Sequence, residues 1–165
     1  MKNLEYYEDA LKHLSYNPDT GDFTWLESRG KAKAGDLAGT INSEGYRIIG
    51  FQGKSIPAHR LAFLKVFGYL PSCIDHINRE ESDNRICNLR GCTQAQNSYN
   101  RVRRKQNTSG HHGVNWDKGR GMWRAQICLQ GRKRNLGRFN NLEDAIEARR
   151  QGEKKYFGDF APNNP

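Results

Sequence analysis

Apolar spacing along the amino-terminal part of the chain switches between helical and strand-like periods. Four apolar residues that recur three or four positions apart predict a short helix over residues 3–14. Residues 17–21, rich in Asn, Pro and Gly, indicate a turn, and residues 23–26 indicate a strand. The Gly/Lys/Ala-rich residues 27–40 are typical of a loop.

The next apolar segments predict a hairpin followed by a helix. Residues 46–51 and 54–56 have strand composition on either side of a Gln-Gly turn. Pro57 suits a helix start, because its missing N–H is not needed there, and Gly68 suits a helix end. These two signals bound a helix over residues 58–67.

Two short strands and a third helix are predicted after this helix. The strands lie at residues 73–77 and around residues 89–90, with a polar loop at residues 79–87 between them. Thr93 and Gln96 have the spacing of a capping box, in which each side chain satisfies a main-chain N–H at the helix start. We therefore expect a helix to begin at Thr93.

The last third of the chain has the pattern of three strands and a helix. The strands are predicted at residues 113–116, 123–129 and 132–139, and Asn141 is a suitable helix N-cap. The basic residues 101–110 end in Asn, Thr, Ser and Gly and are predicted to be a linker.

Alternation in the middle strand separates an apolar face from a polar face. Trp123, Ala125, Ile127 and Leu129 point one way, and Arg124, Gln126 and Cys128 point the other way. The helix is expected to cover the apolar face. The polar face is then free to lie in a DNA groove.

The charge of the chain is concentrated at one end. The net charge is +9 and the pI is about 9.6, with a mean hydropathy of -0.94 that argues against one large core. Residues 1–100 hold 12 Lys and Arg and 12 Asp and Glu, whereas residues 101–165 hold 15 and 6. This distribution indicates a polyanion-binding module attached to a neutral body. A basic tail that serves solubility is the alternative.

The chain lacks the marks of a membrane or secreted protein. No apolar run approaches the roughly 18 residues of a membrane span, and the amino terminus lacks the apolar segment of a signal peptide. A cytoplasmic protein without disulfides is expected. The four cysteines form no CxxC pair, so structural zinc is not expected. A zinc site built from Cys73, Cys87 and Cys92 is the alternative.

An acid, a histidine and two asparagines form the candidate chemical site. Asp75 and His76 are adjacent at the end of a predicted strand, and Asn88 and Asn97 follow. A carboxylate and an amide can bind a hard divalent ion through oxygen, and a histidine can take a proton from water near neutral pH. These groups are sufficient for metal-assisted phosphodiester hydrolysis. The alternative is a capped strand end without chemistry.

Two predicted helices carry further candidate groups. The predicted helix after Thr93 carries four polar or basic residues on nearly the same face: Asn97, Asn100, Arg101 and Arg104. A candidate metal ligand is thus followed by side chains suited to phosphates. His59 and Arg60 lie in the first turn of the helix over residues 58–67. Packing and a role near the scissile phosphate remain equally open for His59.

Residues 56–101 resemble an HNH endonuclease of the phage homing type. The resemblance is carried by His59-Arg60-Leu61, Gly68-Tyr69-Leu70-Pro71, Asp75-His76-Ile77-Asn78, Asp83-Asn84-Arg85, Asn88-Leu89-Arg90 and Asn97-Ser98-Tyr99-Asn100. It implies a ββα-metal fold of two strands and a helix around one divalent ion, Mg²⁺ or Mn²⁺. It makes His76 the general base and Asp75 and Asn97 the metal ligands, with Asn88 holding the active-site loop and the orientation of His76. A histidine often fills the position of Asn97, so a less tightly held ion is expected.

Residues 107–160 resemble an AP2 DNA-binding domain, which lays a three-stranded sheet in the major groove and backs it with one helix. The matching segments are Ser109-Gly110-His111-His112-Gly113-Val114, Trp123-Arg124-Ala125-Gln126-Ile127, Leu136-Gly137-Arg138-Phe139 and Glu143-Asp144-Ala145. His112 stands where an arginine is usual and Asn135 where a tryptophan is usual, so the base preference does not carry over.

The sequence therefore predicts an α+β protein in three parts. These are a helix and small β region at 1–56, which is expected to contact DNA, a nuclease module at 57–104 and an AP2-like domain at 105–165. The expected activity is cleavage of double-stranded DNA by a monomer or weak dimer, with no membrane or small-molecule partner. The alternative is a non-catalytic DNA-binding regulator with a decayed HNH module. Residues expected to contact DNA are Arg60, Asn100, Arg101, Arg104, His112, Asn115, Arg120, Arg124, Gln126, Lys133 and Asn135.

Overall fold

A computed structural model of the chain describes residues 2–100 and 109–162. The chain divides into two compact units, residues 1–94 and residues 95–165. Both contain helices and small antiparallel sheets, which confirms the α+β class. The functional division at residues 56/57 and 104/105 stays a prediction. Arg101, Arg104 and most of the predicted linker lie outside the described residues.

The first unit contains two helices and three small antiparallel sheets within its described residues. In chain order its elements are α1 (Lys2–Lys12), β1 (Leu14–Tyr16), β2 (Phe23–Trp25), β3 (Thr40–Ile41), β4 (Arg47–Phe51), β5 (Lys54–Pro57), α2 (Ala58–Phe67), β6 (Cys73–His76) and β7 (Leu89–Cys92). The sheets pair β1 with β2, β3 with β4 and β5, and β6 with β7. A 3-10 turn, Ile86–Asn88, leads into β7.

The predicted helix over residues 3–14 is too long at its end. Leu14 has a spacing that fits the helix, but it pairs with Trp25 in the β1–β2 hairpin. The turn at residues 17–21 brings these strands together, and such pairing is invisible to local periodicity. In contrast, α2 has the predicted bounds. Gly68 ends it in the left-handed region at φ 73°, and its N–H donates to the carbonyl of Leu64 at 2.9 Å.

One apolar core joins the elements of the first unit. Its fully buried members precede β6 in the chain and include Leu14, Phe23, Ile49, Ile56 and Leu61. Ile74 of β6 and Leu89 of β7 belong to the same cluster. Each fully buried side chain of this size contributes about 1.5–3 kcal/mol, so the β6–β7 hairpin is held in place by residues from the amino-terminal half.

The second unit is a three-stranded sheet against a long helix. Its elements are most of α3 (Gln94–Asn100), then β8 (Val114–Asp117), β9 (Met122–Leu129), β10 (Arg132–Phe139) and α4 (Leu142–Phe157), followed by a 3-10 turn at Gly158–Phe160. The sheet order is β10-β9-β8, all antiparallel. Ala125 and Ile127 are buried, as predicted from the alternation in β9, and Ala145 of α4 packs in the same core as Ala125. No helix in the described part of the chain is long and apolar enough to cross a membrane.

Candidate active site

The adjacent Asp75 and His76 lie on β6 and are both buried. Their strand partners on β7 are Arg90 and Leu89 respectively. Because neighbouring residues on a strand point to opposite faces, the acid and the base meet different surroundings.

Arg90 compensates the buried charge of Asp75. Its Nε and Nη2 donate to the same carboxylate oxygen of Asp75, Oδ2, at 2.7 and 2.5 Å. The Asp75 side chain is only 5% exposed, so removal of Arg90 would leave a buried carboxylate without this partner. The sequence analysis did not assign this role to Arg90.

Asn84 is one of the side chains that contact the imidazole of His76. Its Oδ1 lies 3.4 Å from Nε2 of His76, and Asn84 is 1% exposed. Burial lowers the pKa of His76, against the opposing effects of this hydrogen bond and of three nearby carboxylates. His76 is therefore neutral at pH 7, which is the form that can accept a proton.

Two further aromatic rings surround His76. The ring of His59, from the first turn of α2, meets the His76 ring edge-on at a centroid distance of 5.2 Å. Tyr46, just before β4, lies 5.5 Å from His59 and 5.9 Å from His76. Burial, with help from His76 and Arg60, lowers the pKa of His59 to about 3. The structure thus places His59 beside the candidate base.

Asn88 closes the loop that follows β6. Its Oδ1 accepts from the main-chain N–H of Asn78 at 2.9 Å, and its Nδ2 donates to the carbonyl of Asp83 at 2.8 Å. Both hydrogen bonds are made within residues 78–88. Any effect of Asn88 on the orientation of His76 is therefore transmitted through this loop.

The predicted turn at residues 83–85 is fixed by an ion pair. Arg85 donates from Nε and Nη2 to the two carboxylate oxygens of Asp83 at 2.8 and 2.6 Å. The Nδ2 of Asn78 also donates to Asp83, at 2.7 Å. These bonds lower the pKa of Asp83 to about 2. The carboxylate therefore stays charged and anchors the segment that presents Asn84.

The second predicted metal ligand lies in the other unit. Asn97 is half-buried on α3, and Asn100 of the same helix is buried. Tyr99 of this helix stacks on Phe157 at 4.0 Å. The described residues contain no group of three His, Cys, Asp or Glu side chains suited to a metal. The assignment of Asp75 and Asn97 as ligands therefore rests on the motif resemblance.

Five of the residues predicted to contact DNA share one face of the β8–β10 sheet. Strand pairing places Asn115 opposite Arg124, Gln126 opposite Asn135, and Cys128 opposite Lys133. Paired residues lie on the same face, and alternate residues of β9 do as well. This face is opposite to the buried Ala125 and Ile127, and it also carries Arg138 as the strand partner of Arg124.

Three other predicted DNA contacts lie elsewhere. His112 lies before β8, and its Nδ1 is 3.1 Å from Nη2 of Arg149 on α4. Arg120 is exposed in the turn between β8 and β9. Arg60 lies on α2, with its guanidinium 5.9 Å from the ring centre of Tyr7. Within the second unit, His112 and Arg120 lie outside the strand positions that form the sheet face, and Arg60 belongs to the first unit.

Comparison with known proteins gives a family match over a segment that includes Asp75 and His76. Residues 57–99 match the HNH endonuclease family. Protein 3.8 of Escherichia phage T7 is 33% identical over 88 residues, which are 53% of this chain and 72% of that protein. No solved structure matches the chain significantly. The chain therefore belongs to the family of phage T7 Protein 3.8, and its residues 57–99 form an HNH endonuclease domain.

Proposed function

We propose that the protein is a metal-dependent DNA endonuclease of the homing type, which hydrolyses phosphodiester bonds with His76 as the general base. The observation that carries this proposal is the buried, neutral His76, aligned by Asn84 and adjacent to Asp75 within the HNH domain. The reaction takes place on double-stranded DNA in the cytoplasm of the host cell.

Residues of the β6–β7 hairpin and its loop have different roles in the proposed hydrolysis. His76 accepts the proton of a water molecule as the water oxygen attacks phosphorus and the ester bond to the leaving oxygen breaks. A positioned base of this kind typically contributes about 10²–10⁴ in rate. Asn88 and the Asp83–Arg85 pair keep the loop around His76 in place.

Asp75 and Asn97 are the residues that would hold a divalent ion, Mg²⁺ or Mn²⁺. Their donor atoms are a carboxylate and an amide oxygen, which suit a hard cation, and Mg²⁺ commonly binds to few protein ligands plus water and phosphate. When bound, the ion shields the phosphate charge and stabilises the leaving oxygen. Arg90 pairs with the Asp75 carboxylate and orients it in its buried position.

The sheet face of the second unit selects the DNA site in this proposal, as in AP2 domains. Support comes from the grouping of Asn115, Arg124, Gln126, Lys133 and Asn135 on one face and from the excess of basic residues after residue 100. A monomer with one such nuclease site can nick DNA, and a double-strand cut requires a dimer or a second event.

The proposal is tested by cleavage of long duplex DNA with Mg²⁺ by wild-type protein and the His76→Ala variant. We expect the variant to lose cleavage and to keep nearly all of its DNA affinity, because the base acts only in the chemical step. His13→Ala, in the same unit but hydrogen-bonded to Glu27 instead, is the matched control and should cleave normally. Normal cleavage by His76→Ala would refute the assignment. Binding without cleavage by the wild-type protein would favour a non-catalytic regulator.

A further inference from the structure

The β1–β2 hairpin contacts the loop that carries Asn84. The hydroxyl of Tyr16, at the end of β1, donates to the main-chain carbonyl of Asn84 at 2.7 Å. Two residues later, the carbonyl of Pro18 accepts from the N–H of Ile86 at 3.2 Å. Both contributing residues precede the HNH match at residues 57–99. The amino-terminal region therefore contacts the loop between β6 and β7, residues 77–88, through hydrogen bonds on both sides of Arg85. We call this segment the catalytic loop.

The approach of the two segments is too close for a side chain at the turn. Gly21 has φ +79°, and a Cβ there would lie 2.5 Å from the main-chain atoms Asn84 C and Arg85 N. Contacts of this length require the main chain to shift. The glycine thus allows the turn at residues 17–21 to pack directly against the main chain of Asn84 and Arg85.

The ring of Tyr16 is held in place by packing, and its hydroxyl remains a hydrogen-bond donor across the working pH range. Its ring packs on Phe23 at a centroid distance of 4.7 Å. Burial, reinforced by nearby acidic groups, raises the pKa of Tyr16 to about 12, so its hydroxyl keeps its proton at every pH at which the protein would work. The bond to the Asn84 carbonyl therefore does not depend on titration.

Asn84 is held at three points. Its carbonyl accepts from Tyr16, its Nδ2 donates to the carbonyl of Ser82 at 3.1 Å, and its Oδ1 faces Nε2 of His76 at 3.4 Å. The bond to Ser82 fixes which end of the amide faces the imidazole. Since Oδ1 is an acceptor only, Nε2 of His76 must carry the hydrogen, and Nδ1 carries the lone pair.

We propose that Asn84 and Tyr16 are positioning residues for the general base, with Asn84 selecting the Nε2–H tautomer of His76 and Tyr16 holding Asn84 at the required distance. This inference rests on the proposed role of His76. At 3.4 Å the Asn84–His76 bond is near the limit of a hydrogen bond, so a further shift of a few tenths of an ångström abolishes it. The Tyr16 bond prevents this shift. The amino-terminal region, through Tyr16, then helps to position the general base.

The test compares kcat, KM and DNA affinity of the full-length chain with those of three variants. Tyr16→Phe removes one hydroxyl and keeps the ring on Phe23. We expect it to lower kcat about tenfold, with KM and DNA affinity unchanged. This is the low end of the roughly 10–100-fold loss of activity that is typical when a residue that orients a functional side chain is replaced. Asn84→Ala should lose more, and Asn84→Asp, which keeps an acceptor oxygen, should retain more activity than Asn84→Ala.

Tyr6→Phe is the matched control. Tyr6 also donates its hydroxyl to a distant main-chain carbonyl in the same unit, that of Phe51. This variant loses a comparable hydrogen bond to a carbonyl outside residues 77–88, and it should keep the wild-type kcat. An equal fall in kcat for both tyrosine variants would mean a general loss of rigidity and would overturn the proposal.

A nitrogen-15 NMR spectrum of the His76 imidazole gives a readout that does not depend on cleavage. The wild-type protein should show the Nε2–H tautomer, and Asn84→Ala should show a mixture. A pure Nε2–H signal in Asn84→Ala, or a wild-type kcat in Tyr16→Phe, would refute the inference. If His76→Ala still cleaves DNA, the proposed function fails, whereas the tautomer measurement continues to test the contact between Asn84 and His76. Should Asn84→Ala not fold, Tyr16→Phe and Asn84→Asp decide the question.

Discussion

His59 should make the first unit less stable in mild acid. Its ring is partly buried against His76 and Tyr46, and its pKa in the folded protein is lowered to about 3. In the unfolded chain a histidine has a pKa of about 6.5. Between these two values the unfolded state binds a proton that the folded state does not, so the free energy of unfolding falls as the pH falls.

The size of the effect follows from the protonation of the unfolded chain. At pH 5 the unfolded His59 is about 1.5 units below its pKa, and each unit is worth about 1.4 kcal/mol, so the loss relative to pH 7.5 is about 2 kcal/mol. The pKa of His76 is also lowered, and His76 therefore contributes in the same direction. His59→Gln should remove the His59 contribution and keep that of His76.

Native-state hydrogen exchange of the full-length chain is the appropriate assay, because it reports on the amides of β4 and α2 separately from the second unit. The unfolding free energy would be compared between about pH 7.5 and about pH 5 after correction for intrinsic exchange rates. Val66→Ala, at a 45% exposed position of α2, is the control and should keep the wild-type pH dependence. If His59→Gln shows the same dependence as the wild-type protein, His59 is protonated in the folded state and the reasoning is wrong.

Two other predictions concern charge. If the basic segment after residue 100 neutralises about six to ten phosphates, DNA affinity should fall by roughly 10³–10⁵ between 50 and 200 mM salt. Replacing both Arg124 and Lys133 with uncharged residues should make this salt dependence shallower. An unchanged dependence in that variant would contradict the sheet-face proposal. Arg90→Gln should destabilise the first unit by about 3–5 kcal/mol, because it leaves the buried Asp75 carboxylate without its guanidinium partner. Asp75→Asn added to Arg90→Gln should recover part of that loss in urea denaturation, and no recovery would mean that the pair is not the source of the instability.

The sequence predicts those parts of the fold that depend on local signals. Pro57 and Gly68 define α2 because a helix start and a helix end are decided within a few residues. The β9–β10 hairpin follows from alternation and the Gln130-Gly131 turn. The end of α1 is different, since Leu14 satisfies a helical period and a strand equally well. Its pairing with Trp25 decides the outcome, and no local signal contains that pairing.

The same distinction applies to the candidate site. Asp75 and His76 are recognisable because their residue types have chemistry of their own. Arg90 is their neighbour only through the register of the hairpin, and a slip of one residue would place Leu89 or Gly91 opposite Asp75. Asn84 is visible as a turn residue, but its contact with Tyr16 spans 68 positions. The candidate chemical groups could thus be predicted from the sequence, whereas the contacts that Arg90 and Asn84 make with them could not.

The buried environment of His76 is produced in part by residues outside the HNH match. A two-stranded hairpin such as β6–β7 is at best marginally stable alone and would leave both of its faces in water. Here Ile74 and Leu89 enter a core built largely from residues before Pro57, and Tyr46 and His59 cover the imidazole. Burial is the largest cause of the lowered pKa of His76, and the lowered pKa keeps it in the proton-accepting form. The amino-terminal elements therefore supply part of the buried environment that lowers the pKa of His76.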